Sequence, residues 1–282
     1  MRISQAQKGQ RFQVLHAREE AFVIPNPWDA GTARILAALG FEALTTTSAG
    51  LAATLGRRDG AGQVTREETL ANAREIVDAT DLPVAADLEN GFGHPPEAAA
   101  ETIRLAGEAG LVGGSIEDAT GDPPQPLYAF QHAVERVAAA AEAARGLPFP
   151  FVLVARAENY LHGRPDLEDT IRRLQAFQAA GADALYAPGL TRPEDIRAVC
   201  ASVTKPVNVL MGLSGAKNAS LSVAALSELG VRRISLGSAL SRAALGAFLG
   251  AAKEVMERGT FTFNQGTVSF AELFDLIAPR SG

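Results

Sequence analysis

The feature that most narrows the fold of this chain is a beat: eight short apolar runs separated by longer, alanine-rich helical patterns. The runs are AFVIP at 21–25, ALTTT at 43–47, PVAADLE at 83–89 and GGSIED at 113–118. FVLVARAE follows at 151–158, then ALYAP at 184–188, PVNVLM at 206–211 and RRISLG at 232–237. Between them lie amphipathic stretches such as REETLANAREIVDAT, PEAAAETIRLAGEAG, LEDTIRRLQAFQAAG and SVAALSELG, several ending in the glycine favoured just past a helix. Strands that are apolar on both faces belong in a parallel sheet covered by helices. Eight such units in 282 residues predict an α/β fold, a (β/α)8 TIM barrel, as a single domain. An open doubly wound sheet is the alternative, but no G-x-G-x-x-G opens the first helix.

The barrel core is expected over about 21–245, with an N-terminal capping helix before it. Residues 246–282 exceed what eight units need and predict an additional C-terminal helical segment. Val268, Phe270, Leu273, Phe274 and Ile277 fall near helical spacing there, so that segment packs either on its own barrel or against a neighbouring subunit.

Bulk composition excludes several classes of partner. A net charge of −6 with no basic stripe argues against nucleic acid and against an anionic membrane surface. Cys200 is the sole cysteine, which rules out an intrachain disulfide and a cysteine-based zinc site. The opening MRISQAQKGQRFQVLHAREE lacks the apolar core of a signal peptide, and no apolar run reaches ~20 residues, the length needed to span a bilayer. A cytoplasmic location is the expectation.

In a barrel of this kind the active site forms where strands end and βα loops begin. Acids gather there: Asp59 after strand two, Asp87 and Glu89 at the end of strand three, Glu117 and Asp118 at the end of strand four. Asp87 and Glu89 are two apart, so on a strand both would face one way. Converging carboxylates repel unless a cation neutralises them, and oxygen ligands without cysteine favour Mg²⁺, or Mn²⁺, over zinc. Any single loop acid could be a solvated helix cap, Asp118 especially; the joint pattern favours a metal. Arg156 and Glu158 end strand five two apart, suggesting a carboxylate-gripping guanidinium oriented by Glu158, or simply a pair bracing the interior. Thr45 to Leu51 reads as a polar loop whose N–H groups could cradle an anion.

Six motifs in order resemble one family: Pro25-Asn26-Pro27-Trp28-Asp29-Ala30, the Ser48–Gly50 loop, Asp59, D-x-E-N-G-x-G at 87–93, G-x-I-E-D at 114–118 and A-R-x-E at 155–158. They are similar to the isocitrate lyase / phosphoenolpyruvate mutase superfamily, from about residue 21 to 240. The resemblance implies that Asp87 binds Mg²⁺ directly, while Asp59, Glu89 and Glu117 hold its waters. It implies that Thr47, Ser48, Ala49 and Gly50 take a substrate carboxylate, that Arg156 contacts the other end of a 2-oxo acid, and that Asn208 lines the pocket. Catalytic roles then fall on Arg156, Glu117 and Asp59. Members are usually tetramers that exchange C-terminal helices, so a homo-oligomer, dimer or tetramer, is expected.

Two departures bear on function. Position 89 is Glu where members usually carry Asp. The K-K-C-G-H loop of the isocitrate and methylisocitrate lyases is replaced by Ala119-Thr120-Gly121-Asp122-Pro123-Pro124-Gln125-Pro126-Leu127-Tyr128, with no Cys, Lys or His. Cys200 lies in a different helix and reads as packing. The expected activity is a Mg-dependent lyase acting on a small 2-oxo or 2-hydroxy (di)carboxylic acid through an enolate, with Tyr128, His94, His162 or a metal-bound water as candidate proton donor. A phosphonate-processing mutase or hydrolase, and a non-catalytic 2-oxo-acid binder, are the alternatives.

Overall fold

The computed structural model describes residues 3–212 and 220–278. Helix α1 (Gln5–Ala17) precedes strand β1 (Phe22–Ile24), and α2 (Ala30–Ala38) leads to β2 (Leu44–Thr45). Two helices, α3 (Ser48–Thr54) and α4 (Arg66–Ala79), lie before β3 (Val84–Asp87). Then come α5 (Pro96–Glu108), β4 (Gly113–Glu117), α6 (Phe130–Arg145) and β5 (Val152–Arg156). The second half continues with α7 (Leu167–Ala179), β6 (Ala184–Tyr186), α8 (Pro193–Ser202) and β7 (Val207–Leu210). It ends with α9 (Val223–Glu228), β8 (Arg233–Ser235), α10 (Ala239–Arg258), a 3-10 turn at Thr262–Gly266 and α11 (Phe270–Ile277).

All ladders are parallel, in the order β1-β8-β7-β6-β5-β4-β3-β2. This is the expected α/β barrel, with each of the eight strands inside its predicted run. Between β1 and β2 the seam is made by loop residues. Thr45 N–H donates to Pro25 O at 3.1 Å. The Asn26 amide donates to Thr46 O at 2.8 Å and accepts from Leu236 N–H (2.9 Å) and Gly237 N–H (2.8 Å). One buried side chain thus ties the ends of β1, β2 and β8 together, satisfying groups that an open sheet edge would leave unpaired.

Strand alternation sorts the side chains. Leu44, Val84, Ala86, Leu153, Ala155, Leu185, Val207, Val209 and Ile234 point outward into a continuous core beneath the helices. The inward residues Phe22, Ile24, Ala85 and Val152 pack with Ala43, Val112 and, from α1, Phe12 and Leu15. Helix α1 therefore plugs the bottom of the barrel. Gly113 makes room for it, since a Cβ there would fall 2.6 Å from Phe12 Cε1. Further up, the inward face turns polar. Glu117, Arg156, Tyr186, Asn208 and Arg233 are successive register partners across β4 to β8. Below this layer His16 is buried, and burial, with Arg233 nearby, lowers its pKa to about 3.

The C-terminal segment returns to its own chain at α2, where Arg34 Nη1 donates to Ile277 O at 2.9 Å. Its apolar side chains are otherwise largely uncovered. Among the described residues no helix is long and apolar enough to cross a membrane.

Candidate active site

The C-terminal strand ends open into a cleft of about 820 Å³ whose lining includes Ser48, Asp59, Glu89, Glu117, Arg156 and Glu158. At its floor Arg156 uses all three guanidinium nitrogens on carboxylates. Nη1 donates to Asp87 Oδ1 at 2.9 Å, Nη2 lies 3.1 Å from Glu117 Oε2, and Nε donates to Glu158 Oε1 at 2.7 Å. The pairing of Glu158 with Arg156 is the one read from the sequence. The location of the guanidinium is a correction: Arg156, expected at the other end of a 2-oxo acid from the metal-binding acids, stands among them.

Burial opposes charge throughout this cluster, and the responses differ. Burial raises Glu117 well above the usual carboxylate range although Arg156 works the other way. Glu89 is pushed up to about 7 by burial and by Asp87 and Asp59. Arg156 is itself buried, yet Glu158, Glu117 and Asp87 hold its pKa well above the ordinary value. Among the described residues no three His, Cys, Asp or Glu side chains are gathered closely enough to hold a metal between them.

Asp87 is fixed from several sides. Its N–H donates to Thr46 Oγ1 (3.0 Å), Oδ2 accepts from Ser48 Oγ (2.9 Å) and N–H (3.4 Å), and Oδ1 also accepts from Glu89 N–H (3.3 Å). Strand β3 ends at Asp87, so Glu89 is not placed by strand alternation as expected. It sits at φ 47°, and Phe92 at φ 57°, either side of Asn90 and Gly91. Two non-glycine residues in the left-handed region within one turn are a strained arrangement of the kind that gathers at functional sites. Gly91, at φ 81°, lies so close to α5 that a Cβ would come 2.9 Å from Ala99 Cα.

Three further expectations change. Ser48 to Leu51, read as part of a polar loop, lie in helix α3, capped by Thr47, whose Oγ1 accepts from Gly50 N–H at 3.2 Å. In the anion cradle of Thr47, Ser48, Ala49 and Gly50, two of the four N–H groups are engaged internally, Gly50 N–H on Thr47 and Ser48 N–H toward Asp87, and of the four residues Ser48 lines the cleft. Asn208 is buried in the barrel interior, donating to Ser235 Oγ at 3.0 Å, and its Oδ1 has no partner among the described residues. Asp118 is neither a helix cap nor part of the carboxylate ring. It is buried, accepts from Glu158 N–H (2.8 Å) and from Arg173 Nη1 (2.9 Å), and so sets the strand-five loop that carries Glu158. Burial lifts its pKa to about 6.

Sequence reading missed Tyr186, Arg173 and Arg233, and held Asn26 only as part of a motif, without its role. Tyr186 supports the Arg156 guanidinium from below, its ring centre 5.2 Å from Cζ. Its signal, like that of Arg233, was available: a polar residue at the inward parity of an otherwise apolar strand.

The model of the phosphoenolpyruvate phosphomutase family matches residues 12–256. A Burkholderia cenocepacia protein provisionally named a lyase/mutase has a crystal structure that superposes with a TM-score of 0.94 at 57% identity, covering 98% of this chain and 97% of that one. A Corynebacterium glutamicum protein named a probable 2-methylisocitrate lyase is 30% identical over 82% of this chain and 75% of its own. A phosphonopyruvate hydrolase solved with oxalate and Mg²⁺ shares the fold, at a TM-score of 0.83 and 23% identity over 95% and 94% of the two chains. The fold and the strand-end acids thus define an enzyme of the isocitrate lyase / phosphoenolpyruvate mutase superfamily. Within it, this chain belongs to the phosphoenolpyruvate phosphomutase family.

Proposed function

We propose that this chain is a Mg²⁺-dependent lyase, with Mn²⁺ as a substitute, that cleaves or decarboxylates a small 2-oxo or 2-hydroxy dicarboxylic acid by way of its enolate. The observation that carries the reading is the make-up of the cleft floor: Asp87, Glu117 and Glu158 share the single guanidinium of Arg156, and Asp59 and Glu89 line the same cleft. That gathering of oxygen ligands suits a hard divalent cation; burial first, and the neighbouring carboxylates after it, raise Glu89 and Glu117, and a cation would oppose both. Asp87 is the residue to hold the ion directly, in exchange for a donor it now receives from Arg156 or Ser48. Asp59, Glu89 and Glu117 are placed around the cleft to hold its waters. When bound, the ion supplies Lewis-acid stabilisation of negative charge on the 2-oxo group.

The chain's own residues do the rest. A guanidinium carries five N–H donors and three are engaged here, which leaves donors for an oxygen of the acid. Because Arg156 sits beside Asp87, one end of a small acid would meet both, rather than the two ends meeting them separately. Glu158, set by Asp118, fixes the guanidinium plane. With the K-K-C-G-H loop replaced, no cysteine stands there to act as the acid, so decarboxylation, or retro-aldol cleavage of another small diacid, is favoured over cleavage of isocitrate or methylisocitrate.

The test is a Mg²⁺-supplemented screen of three- to six-carbon 2-oxo and 2-hydroxy diacids, monitored for pyruvate, glyoxylate and CO₂. Metal-dependent release from one of them is the expected result. Turnover of phosphonopyruvate instead selects a phosphonate-processing enzyme, and binding without turnover selects a 2-oxo-acid binder.

We also infer a homo-oligomer. Phe248 (69% exposed), Met256 (84%), Phe261 (67%) and Phe270 (78%) leave α10, the 3-10 turn and α11 with more bare apolar surface than a monomer usually keeps. Light scattering on the purified protein reads the mass directly.

A further inference from the structure

We propose that His94 is the proton donor and acceptor at the enolate carbon, with Tyr128 as the residue that positions it; this rests on the enolate reading above. His94 is exposed and lines the same cleft as Glu89, Glu117 and Arg156. Its Nδ1 lies 2.9 Å from the hydroxyl of buried Tyr128. The short loop after β4 makes this meeting. An antiparallel bridge between Ala119 and Leu127, with Thr120 N–H donating to Pro126 O at 3.0 Å, folds the loop into a hairpin that returns Tyr128 to the mouth.

The surroundings are unusually fixed for a loop histidine. Asn90 Oδ1 accepts from Phe92 N–H (3.0 Å), which orients the amide so that Nδ2 donates to Thr120 O (3.3 Å) and reaches Tyr128 Oη (3.4 Å). Arg136, fully buried, donates to the carbonyls of Asn90, His94 and Pro95. Its Cζ also stacks 4.4 Å over the Tyr128 ring. His132 Nε2 lies 2.9 Å from His94 O. A buried guanidinium spent on loop carbonyls, next to the strained Phe92 backbone, holds residues 90–95 in one shape.

With Nδ1–H donating to Tyr128 Oη, the working nitrogen is Nε2. In the forward direction the Nε2–H bond of the imidazolium breaks and a C–H bond forms at the enolate carbon. The enolate electron pair makes that bond, the 2-oxo C=O is restored, and neutral imidazole keeps its Nδ1 proton on Tyr128. In reverse, neutral Nε2 removes a proton from C3 of a 2-oxo acid.

The reverse step gives the test: deuterium exchange at C3 of pyruvate and 2-oxobutyrate, followed by NMR in D₂O with Mg²⁺. The parent exchanges. His94→Gln loses about 10²-fold or more, as removal of a general base does, and added imidazole restores exchange to His94→Ala. Tyr128→Phe removes only the hydroxyl that His94 Nδ1 reaches, so kcat for exchange falls while KM for the 2-oxo acid is unchanged; a merely structural role would move KM and the thermal midpoint as well. The charged and titratable groups facing His94 on α6 are His132 and Arg136, and both stay in place. Exchange in His94→Gln equal to the parent's overturns the assignment and leaves the enolate reading standing. A parent that exchanges neither acid contradicts the enolate reading itself, and His94 with it.

Discussion

Replacing Arg156 with Met keeps much of the side chain's length and removes the charge that three carboxylates share. The parent makes three charge-assisted contacts there, to Asp87, Glu117 and Glu158, and the Arg156 side chain is only 12% exposed. Each such bond is worth about 1.5–3 kcal/mol, so a simple sum overshoots; the carboxylates left behind relieve part of it by taking up protons. Breaking a buried ion pair from one side costs about 3–5 kcal/mol, and that is the expected loss at pH 8, where proton uptake by the carboxylates relieves it least. A domain of ordinary stability survives it. The sign with pH follows from the cluster. Burial already raises Glu117 above its unfolded value, and without Arg156 nothing on the guanidinium side opposes that rise, so the penalty is largest at high pH and shrinks as pH falls. Urea denaturation of parent and Arg156→Met at pH 8 and pH 5.5 reads both numbers. A loss below about 1 kcal/mol at pH 8, or equal losses at the two pH values, would refute the view that Arg156 neutralises this cluster.

The bottom of the barrel titrates in the opposite region. His16 stays neutral in the fold down to about pH 3, whereas the unfolded chain takes up that proton below about pH 6.5. Stability attached to His16 is therefore lost as pH falls, by about 2.5 kcal/mol between pH 7 and pH 4.5, and His16→Leu should flatten the stability–pH curve by that amount in the same denaturation assay. Cys200 should be chemically quiet, since burial lifts its thiol to about 11; Cys200→Ala should leave turnover per folded enzyme unchanged and cost about 1 kcal/mol. Asp118→Asn removes the charge that Arg173 holds at 2.9 Å without touching the cleft. It should lower activity mainly through kcat, with the thermal midpoint also reduced, because the loop carrying Glu158 loosens.

The barrel was readable because parallel strands buried on both faces leave an unbroken apolar signature, and helix caps punctuate the gaps. Asp87, Glu89, Glu117 and Glu158 were readable for the same reason, since each lies at the end of such a run. What could not be read is how they pair. Asp118 depends on Arg173, 55 residues away, and nothing near position 118 announces that partner. Arg156 was expected opposite the acids because strand order alone does not say which way a long side chain leans. Glu89 looked like a strand residue because Asp-x-Glu fits a two-residue period. The chain turns left-handed at Glu89 itself, a choice enforced by Gly91 packing against α5. Ser48 to Gly50 looked like a loop because Ser, Ala and Gly are poor markers of a helix start unless the capping role of Thr47 is seen.

Everything proposed for catalysis depends on a divalent ion held by Asp87. Isothermal titration of Mg²⁺ into the parent and into Asp87→Ala, each with and without oxalate as a mimic of an enolate, measures that directly. The account predicts saturable Mg²⁺ binding by the parent, tightened by oxalate, and loss of both in Asp87→Ala while the variant remains folded by circular dichroism. Equal Mg²⁺ binding by the two proteins would contradict it.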